Sequence, residues 1–508
     1  MVTRRRALKL ILMLASLIIG YMSLYRRSAQ PKGRFTNPQQ AAIVAAAVDT
    51  WQDYRKHGYG SDEYGPISKR TDPPGKNHLG WMIVDSLDTF MLMGLDEFVQ
   101  QGRQWIDKHL NYNIDEQVNV FETTIRMLGG LLGAYHLSGG DSLYLTKAQD
   151  LAERLIVAFD TPSGIPSSDV NLRTGTAHLR GNQVQSSTAE VSTLQMEFKY
   201  LSVLTKDPKY WNAAQRVMKA LDANRVPDGL VPIYVNCRTG QFMPSEIRLG
   251  SRGDSYYEYL LKQYLQTNRT EPVYKEMYTE AVNGIRKHLV GRSSPNQLLF
   301  IGERPQGLNG PFDNKMDHLV CFAGAMFAVG ATNGMVLDAA KQKPWWTKER
   351  MNEFQMGADL TEACVATYTG TKTGLGPEIV VFNTDPSSED DFYIKPADLH
   401  NLQRPETVES LFVLYRLTGD QKYRDWGWQI FQAFRNHSRL EDGAFTSLNN
   451  VNTGDKRDSL ESFWLAETLK YLYLLFDDEG LMDLETVVFN TEAHPFPVMP
   501  KVYDSWER

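Results

Sequence analysis

The 508-residue sequence predicts an all-α body, helical hairpins stacked into a closed toroid, preceded by an N-terminal transmembrane anchor. Three observations predict it: an apolar run behind three arginines, a two-helix unit that recurs along the chain, and carboxylates set singly into very apolar helical segments. With 42% hydrophobic and 11% aromatic residues the chain can bury a sizeable core, and its net charge of −7 with no basic stripe excludes a nucleic-acid partner.

The anchor comes first. Arg4, Arg5 and Arg6 precede an apolar run from Leu10 to Leu24, which continues through Tyr25 into Arg26 and Arg27 without the small residues of a cleavage site. This predicts a type II signal anchor over residues 1–27, short enough for a thin bilayer, with the N-terminus cytosolic. Residues 28–38 read as a short polar stem and 39–508 as one lumenal domain. The sequons at Asn268 and Asn436 agree with a lumenal, glycosylated body. Cys237, Cys321 and Cys364 form no CxxC pair, so one disulfide and one free thiol are expected.

The repeat is a Leu- and Tyr-rich helix, a Gly-Asp or Lys-Asp turn, a tyrosine, and a second amphipathic helix. The turn tyrosines Tyr144, Tyr210 and Tyr274 recur about every 65 residues, and the interval to Tyr423 leaves room for one more unit. That period gives about seven hairpins between residues 40 and 495. Two-helix units must stack to bury both faces. Closure into a toroid is favoured because it would gather the isolated acids at the centre.

Those acids carry the chemistry. Glu122 and Arg126 are spaced to share one helix face, as are Asp254 and Glu258. Pro405 suits a first turn and puts Glu406 and Glu409 at the positive end of a helix, beside Arg404, a place that favours ionised carboxylates. Glu461 and Glu467 sit among aromatics, with Phe463 on the face of Glu467. Any one of these acids could be a cap or a solvated residue. Together they point to a polar pocket of the kind that cleaves glycosidic bonds between two acids. Walker, HExxH, GxSxG and EF-hand motifs are absent. His318, next to Asp317, reads either as a satisfied core histidine or as a sugar ligand.

The segments NVFETTIRMLGGLL, STAEVSTLQMEF, GSRGDSYYEYLLKQY, KMDHLVCF, NLQRPETVES, ESFWLAETLKYLY and FNTEAHPFPV resemble the signature blocks of glycoside hydrolase family 47, the class I α-mannosidases. The resemblance implies an (α/α)7 barrel closed by a C-terminal plug and an inverting, calcium-dependent α-1,2-mannosidase acting on high-mannose N-glycans. It assigns Glu122 as general acid and Glu406 with Asp254 as the carboxylates that activate water, Glu406 favoured. Thr491 matches the direct protein ligand of Ca2+. Glu197, Glu378, Glu409, Glu467 and Glu492 match acids around the calcium waters and the sugar pocket, and Asp85 a further acid of the cleft. Phe463 matches the ring under the sugar, and Arg126, Asp317, His318 and Arg404 its polar wall. Cys321 and Cys364 match paired cysteines of the fungal endoplasmic-reticulum members, leaving Cys237 free. Arg252 matches the arginine of the endoplasmic-reticulum type, implying removal of one middle-branch mannose from the nine-mannose glycan by a monomer at the endoplasmic-reticulum membrane. The competing expectations are Golgi-type trimming of several branches and an idle lectin, the latter disfavoured by intact Glu122, Asp254, Glu406 and Thr491.

Overall fold

Helix follows helix from Pro38 to Leu475 in the computed structural model, which describes residues 33–73, 78–178, 184–506 and 508. The expected anchor and the stem up to residue 32 lie outside the described residues. The fourteen longest helices among those residues are α1 (Pro38–His57), α2 (Trp81–Leu92), α3 (Asp96–Lys108), α4 (Gly129–Leu137), α5 (Ser142–Leu155), α6 (Gln195–Thr205) and α7 (Pro208–Asp222), then α8 (Asp254–Gln266), α9 (Pro272–His288), α10 (Ala323–Thr332), α11 (Lys348–Thr369), α12 (Glu406–Thr418), α13 (Gln421–His437) and α14 (Leu469–Leu475). The long Tyr274–Tyr423 interval holds one extra unit, α10 and α11, as its length requires.

The even-numbered helices contact one another in chain order, α2 to α4 and onward to α14, and α14 returns to α2. Each odd-numbered helix packs outside an even one, with α1 on α14, so the first helix covers the last. Their sequences fit these places. Every residue of α14 is buried, whereas α3 buries only Phe98, Gly102 and Ile106, a stripe with a period of one turn.

The repeated turn has a specific task. Asp141, Asp207 and Asp420 are the N-caps of α5, α7 and α13, each accepting a backbone N–H two residues on. Such a cap contributes about 1 kcal/mol. The tyrosine three residues later, Tyr144, Tyr210 or Tyr423, is buried, and Tyr210 meets Phe198 of α6.

Short antiparallel strand pairs, outside the all-α expectation, interrupt this pattern. At two to four residues they are too short to leave a periodic trace in sequence. Gln117–Asn119 runs into Glu122, Gln185–Ser187 into Thr188–Ser192, and Lys315–Asp317 into His318, so these strands lead the chain into the turns that carry the candidate site. The last pair, Val487–Phe489 with Pro495–Pro497, packs on α4 and α8, while Phe496 meets Tyr200 of α6 and Phe489 meets Phe412 of α12 and Tyr471 of α14. Its turn, residues 490–494, therefore lies among the inner helices.

Cys321 and Cys364 form a disulfide with Cα atoms 6.0 Å apart, and Cys237 is buried and free. The bond closes a sequence separation of 43, which constrains the unfolded chain by about 4 kcal/mol. Asn268 and Asn436 are both exposed.

Candidate active site

The candidate residues converge where the chain enters the even-numbered helices. Asn119 accepts the Glu122 N–H at 2.9 Å, and the following turn, Thr123–Leu128, is a π-helix that continues into α4. Trp464–Thr468, leading into α14, is a second π-helix, and such insertions recur at functional sites. Arg126 donates from Nε to Glu122 Oε2 at 2.9 Å and from a terminal nitrogen to Ser462 at 3.1 Å and to Glu492. Glu378 takes a bidentate bond from Arg404 at 2.7–3.0 Å. The guanidinium carbons of Arg126 and Arg404 both lie 5.7 Å from the centre of the Phe463 ring, so two cations hold that ring in place.

A cleft of about 310 Å³ is lined by Glu122, Arg126, Glu190, Arg252, Asp254, Arg404, Glu406, Phe463, Glu467, Thr491 and Glu492. Beneath it a smaller space adds Glu258 and Glu409. Asp254 opens α8 and Glu406 opens α12. Glu406 Oε2 is 2.8 Å from His318 Nδ1, and His318 Nε2 is 2.7 Å from the Tyr368 hydroxyl. With Tyr368 donating to Nε2, the ring donates from Nδ1 and fixes the Glu406 carboxylate.

Burial dominates the acid–base character of this wall. It pushes Asp254 up to about 7, with Glu258, Asp317 and Glu406 adding repulsion. It also pushes Glu409 to about 7, against the pull of Lys262, and raises Glu467 and Glu492 well above the carboxylate range. At Glu409 the loss of water thus opposes the pull of the helix N-terminus.

These residues suit a hard cation. Thr491 Oγ1 donates to Glu258 Oε2 at 2.8 Å at the floor of the cleft. Close by, Glu197 is buried and pushed up to about 7; its Oε1 accepts from Tyr259 and Asn490, while its Oε2 has no hydrogen-bond partner. Clustered carboxylate and hydroxyl oxygens are what Ca2+ or a similar ion takes, and such an ion would favour the ionised forms that burial opposes.

The turn bearing Thr491 is held from below by buried charges. His494 Nδ1 is 2.7 Å from Asp88 Oδ2 and its Nε2 is 3.0 Å from Asp85 Oδ1, while Lys470 Nζ is 2.9 Å from Asp88 Oδ1 and donates to the Ala493 carbonyl at 2.7 Å. Asn490 Oδ1 accepts the N–H groups of Glu492 and His494. Despite burial, Asp88 and Asp85 raise His494 to about 9. This stabilisation is complete below the ordinary histidine value near 6.5 and is lost as pH rises through about 9. The apparent melting temperature is therefore expected to fall between pH 7 and 9, and to fall less in His494→Gln.

The structure brings ten of the sequence-derived residues into the cleft, with Glu409 just beneath it. The others stand behind it. Asp85 is fully buried under Arg126, Glu197 lies under the 490–494 turn, and Glu378 backs Arg404. Asp317 pairs with Lys315 and accepts the Ser251 N–H. His318 is a buried histidine that acts on Glu406, not on the cleft surface. Arg252 lines the cleft with φ at +74°, a left-handed conformation unusual for arginine, braced by the Ala189 N–H donating to its carbonyl at 2.9 Å.

Sequence reasoning missed Glu190 as a site residue. Ser187 and Glu190 have the spacing of a capping box, and Ser187 does cap that turn, which hides the part Glu190 takes in the cleft. It also missed His494, Asp88 and Lys470, whose pairing spans the whole chain.

A model of glycosyl hydrolase family 47 matches residues 46–498. The mannosyl-oligosaccharide 1,2-alpha-mannosidase of Candida albicans is 54% identical over 90% of this chain and 83% of its own length. The endoplasmic reticulum mannosyl-oligosaccharide 1,2-alpha-mannosidase of Schizosaccharomyces pombe is 48% identical over 97% and 96%. Among solved structures, the alpha-1,2-mannosidase from Trichoderma reesei superposes with a TM-score of 0.81 at 31% identity, covering 91% of this chain and 99% of its own. With its fold, its carboxylate-lined cleft and its matched length taken together, the chain belongs to glycosyl hydrolase family 47.

Proposed function

We propose that this glycoside hydrolase is an endoplasmic-reticulum exo-α-1,2-mannosidase that trims high-mannose N-glycans, using Ca2+ and inverting the anomeric centre. It removes one middle-branch mannose from the nine-mannose glycan and stops. The observation that carries this reading is one cleft holding Glu122, Asp254, Glu406, Phe463 and Thr491. The relatives named above support the substrate class. The ring of even helices is read as an (α/α)7 barrel, with the Val487–Phe489 and Pro495–Pro497 hairpin closing its floor. A type II anchor over residues 1–27 would hold the monomeric domain in the lumen.

Glu122 donates a proton to the leaving glycosidic oxygen, directly or through one water. Glu406, oriented by His318, takes a proton from the attacking water, whose oxygen bonds to the anomeric carbon as the glycosidic bond breaks. Asp254, next to it in the cleft, shares the task of holding that water. Phe463, fixed by two guanidiniums, supports the sugar ring. Thr491, with Glu258, Glu409, Glu467 and Glu492 around it, would hold calcium, which supplies a hard Lewis acid for orienting sugar hydroxyls. Arg252 offers a fork of donors that selects one branch.

The test is incubation of residues 33–508 with the nine-mannose glycan, reading products by mass and branch. Rapid trimming beyond eight mannoses would overturn the single-branch reading, and binding without release would leave a lectin. A chelator is expected to lower the rate more than about 100-fold and to lower the melting temperature, both restored by calcium.

A further inference from the structure

Lys262 is a largely buried cation with no part in bond cleavage. Asp254, Glu258 and Lys262 stand four residues apart on α8, so they form one stripe that runs from the cleft down past the space beneath it. The lysine lies at the deep end. It lines a space of about 50 Å³ behind Glu258 and Glu409, among Leu265, Phe322, Met326 and Tyr471, whereas the cleft itself is walled by other residues.

Its polar contacts all point back to the site. Lys262 Nζ donates to Glu258 Oε1 and to the Asn490 carbonyl at 3.3 Å, and lies 3.6 Å from Glu409 Oε1. Among the described ion pairs it is the only cation on either acid. Glu258 Oε2 accepts from Thr491 Oγ1 at 2.8 Å, so one carboxylate touches both the lysine and the hydroxyl that would hold calcium. Burial works against the ammonium, but the charges of Glu258 and Glu409 outweigh it and hold Lys262 above its ordinary pKa. A fixed positive charge therefore sits behind these two acids, where it attracts their negative charge and repels any divalent ion that they attract.

We propose that Lys262 is an internal counter-cation of the calcium site: it stabilises the metal-free barrel by neutralising Glu258 and Glu409, and it weakens calcium binding by competing for the same carboxylates. The proposal rests on the calcium reading of Thr491. A merely structural lysine would stabilise the metal-free and the calcium-loaded protein alike. A counter-cation stabilises the metal-free protein more, because bound calcium takes over part of its role.

Titration calorimetry with CaCl2 and thermal unfolding, both on the full chain in detergent, compare the wild type with two neutral variants. Lys262→Met keeps the length of the side chain and suits its apolar surroundings, and Lys262→Gln keeps a donor toward Glu258. Both are expected to bind calcium about tenfold more tightly than the wild type, and the rise in Tm from chelator to saturating calcium is expected to be larger in both. Folding of either variant only when calcium is present would support the proposal as well. Lys262→Arg, which keeps the charge, is expected to bind calcium within about threefold of the wild type. Unchanged or weaker calcium affinity in the neutral variants, or equal destabilisation with and without calcium, up to failure to fold in both, would overturn the proposal. A wild type that takes up no calcium would remove the calcium reading, and this inference with it, whereas equal affinity in wild type and variants removes the inference alone.

Discussion

Glu406→Gln is expected to lower kcat by about 10³-fold or more while leaving the fold and glycan binding intact. The substitution keeps the size of the side chain and its bond from His318, but the amide cannot take the proton of the attacking water. His318→Gln is expected to cost less, because Glu406 stays chemically competent and loses only its alignment by the 2.8 Å contact. Comparing pH–rate profiles separates the two roles. Removing the base should abolish the limb that reports its ionisation, whereas removing its positioner should displace that limb. Wild-type turnover by Glu406→Gln would transfer the role of base to Asp254.

Lys470→Met is expected to destabilise the domain by about 3–5 kcal/mol, read as a lower denaturation midpoint, with only a secondary effect on any substrate contact. Lys470 and Asp88 are fully buried, and their 2.9 Å pair is the only route by which a cation from α14 reaches α2 among the described ion pairs. Loss of Lys470 leaves Asp88 with His494 alone and frees the Ala493 carbonyl, so the 490–494 turn loosens with it. Asp88→Asn combined with Lys470→Met should recover part of the loss, since no unpaired charge then remains. A cost below about 1 kcal/mol for the single variant would mean that the pair carries little net energy.

Much of this arrangement is legible before any coordinates. The spacing of Glu122 and Arg126 gives their ion pair, and Pro405 marks the start of α12. The repeated Asp-x-x-Tyr turns are visible as a period, and their physical role, capping followed by a buried tyrosine, explains why the period exists. What local sequence cannot reveal is pairing between distant hairpins. Asp85 and His494 are 409 residues apart, and nothing near either announces the other. Depth is equally hidden. Asp477, in the acidic run Asp477-Asp478-Glu479, is buried, pairs with Arg416 at 2.6 Å and accepts the Leu481 N–H. Likewise Glu258 shares the helix-face spacing of Asp254, yet only the approach of Thr491 from the far end of the chain makes it part of the cleft floor.

The central claim is that Glu406 and Glu122 carry out a single displacement by water at the anomeric carbon. It is tested most directly by proton NMR of the mannose released in the first minutes of reaction, before mutarotation. The account predicts β-mannose as the first product, appearing at the rate of glycan cleavage and absent with Glu406→Gln; α-mannose as the first product would contradict it.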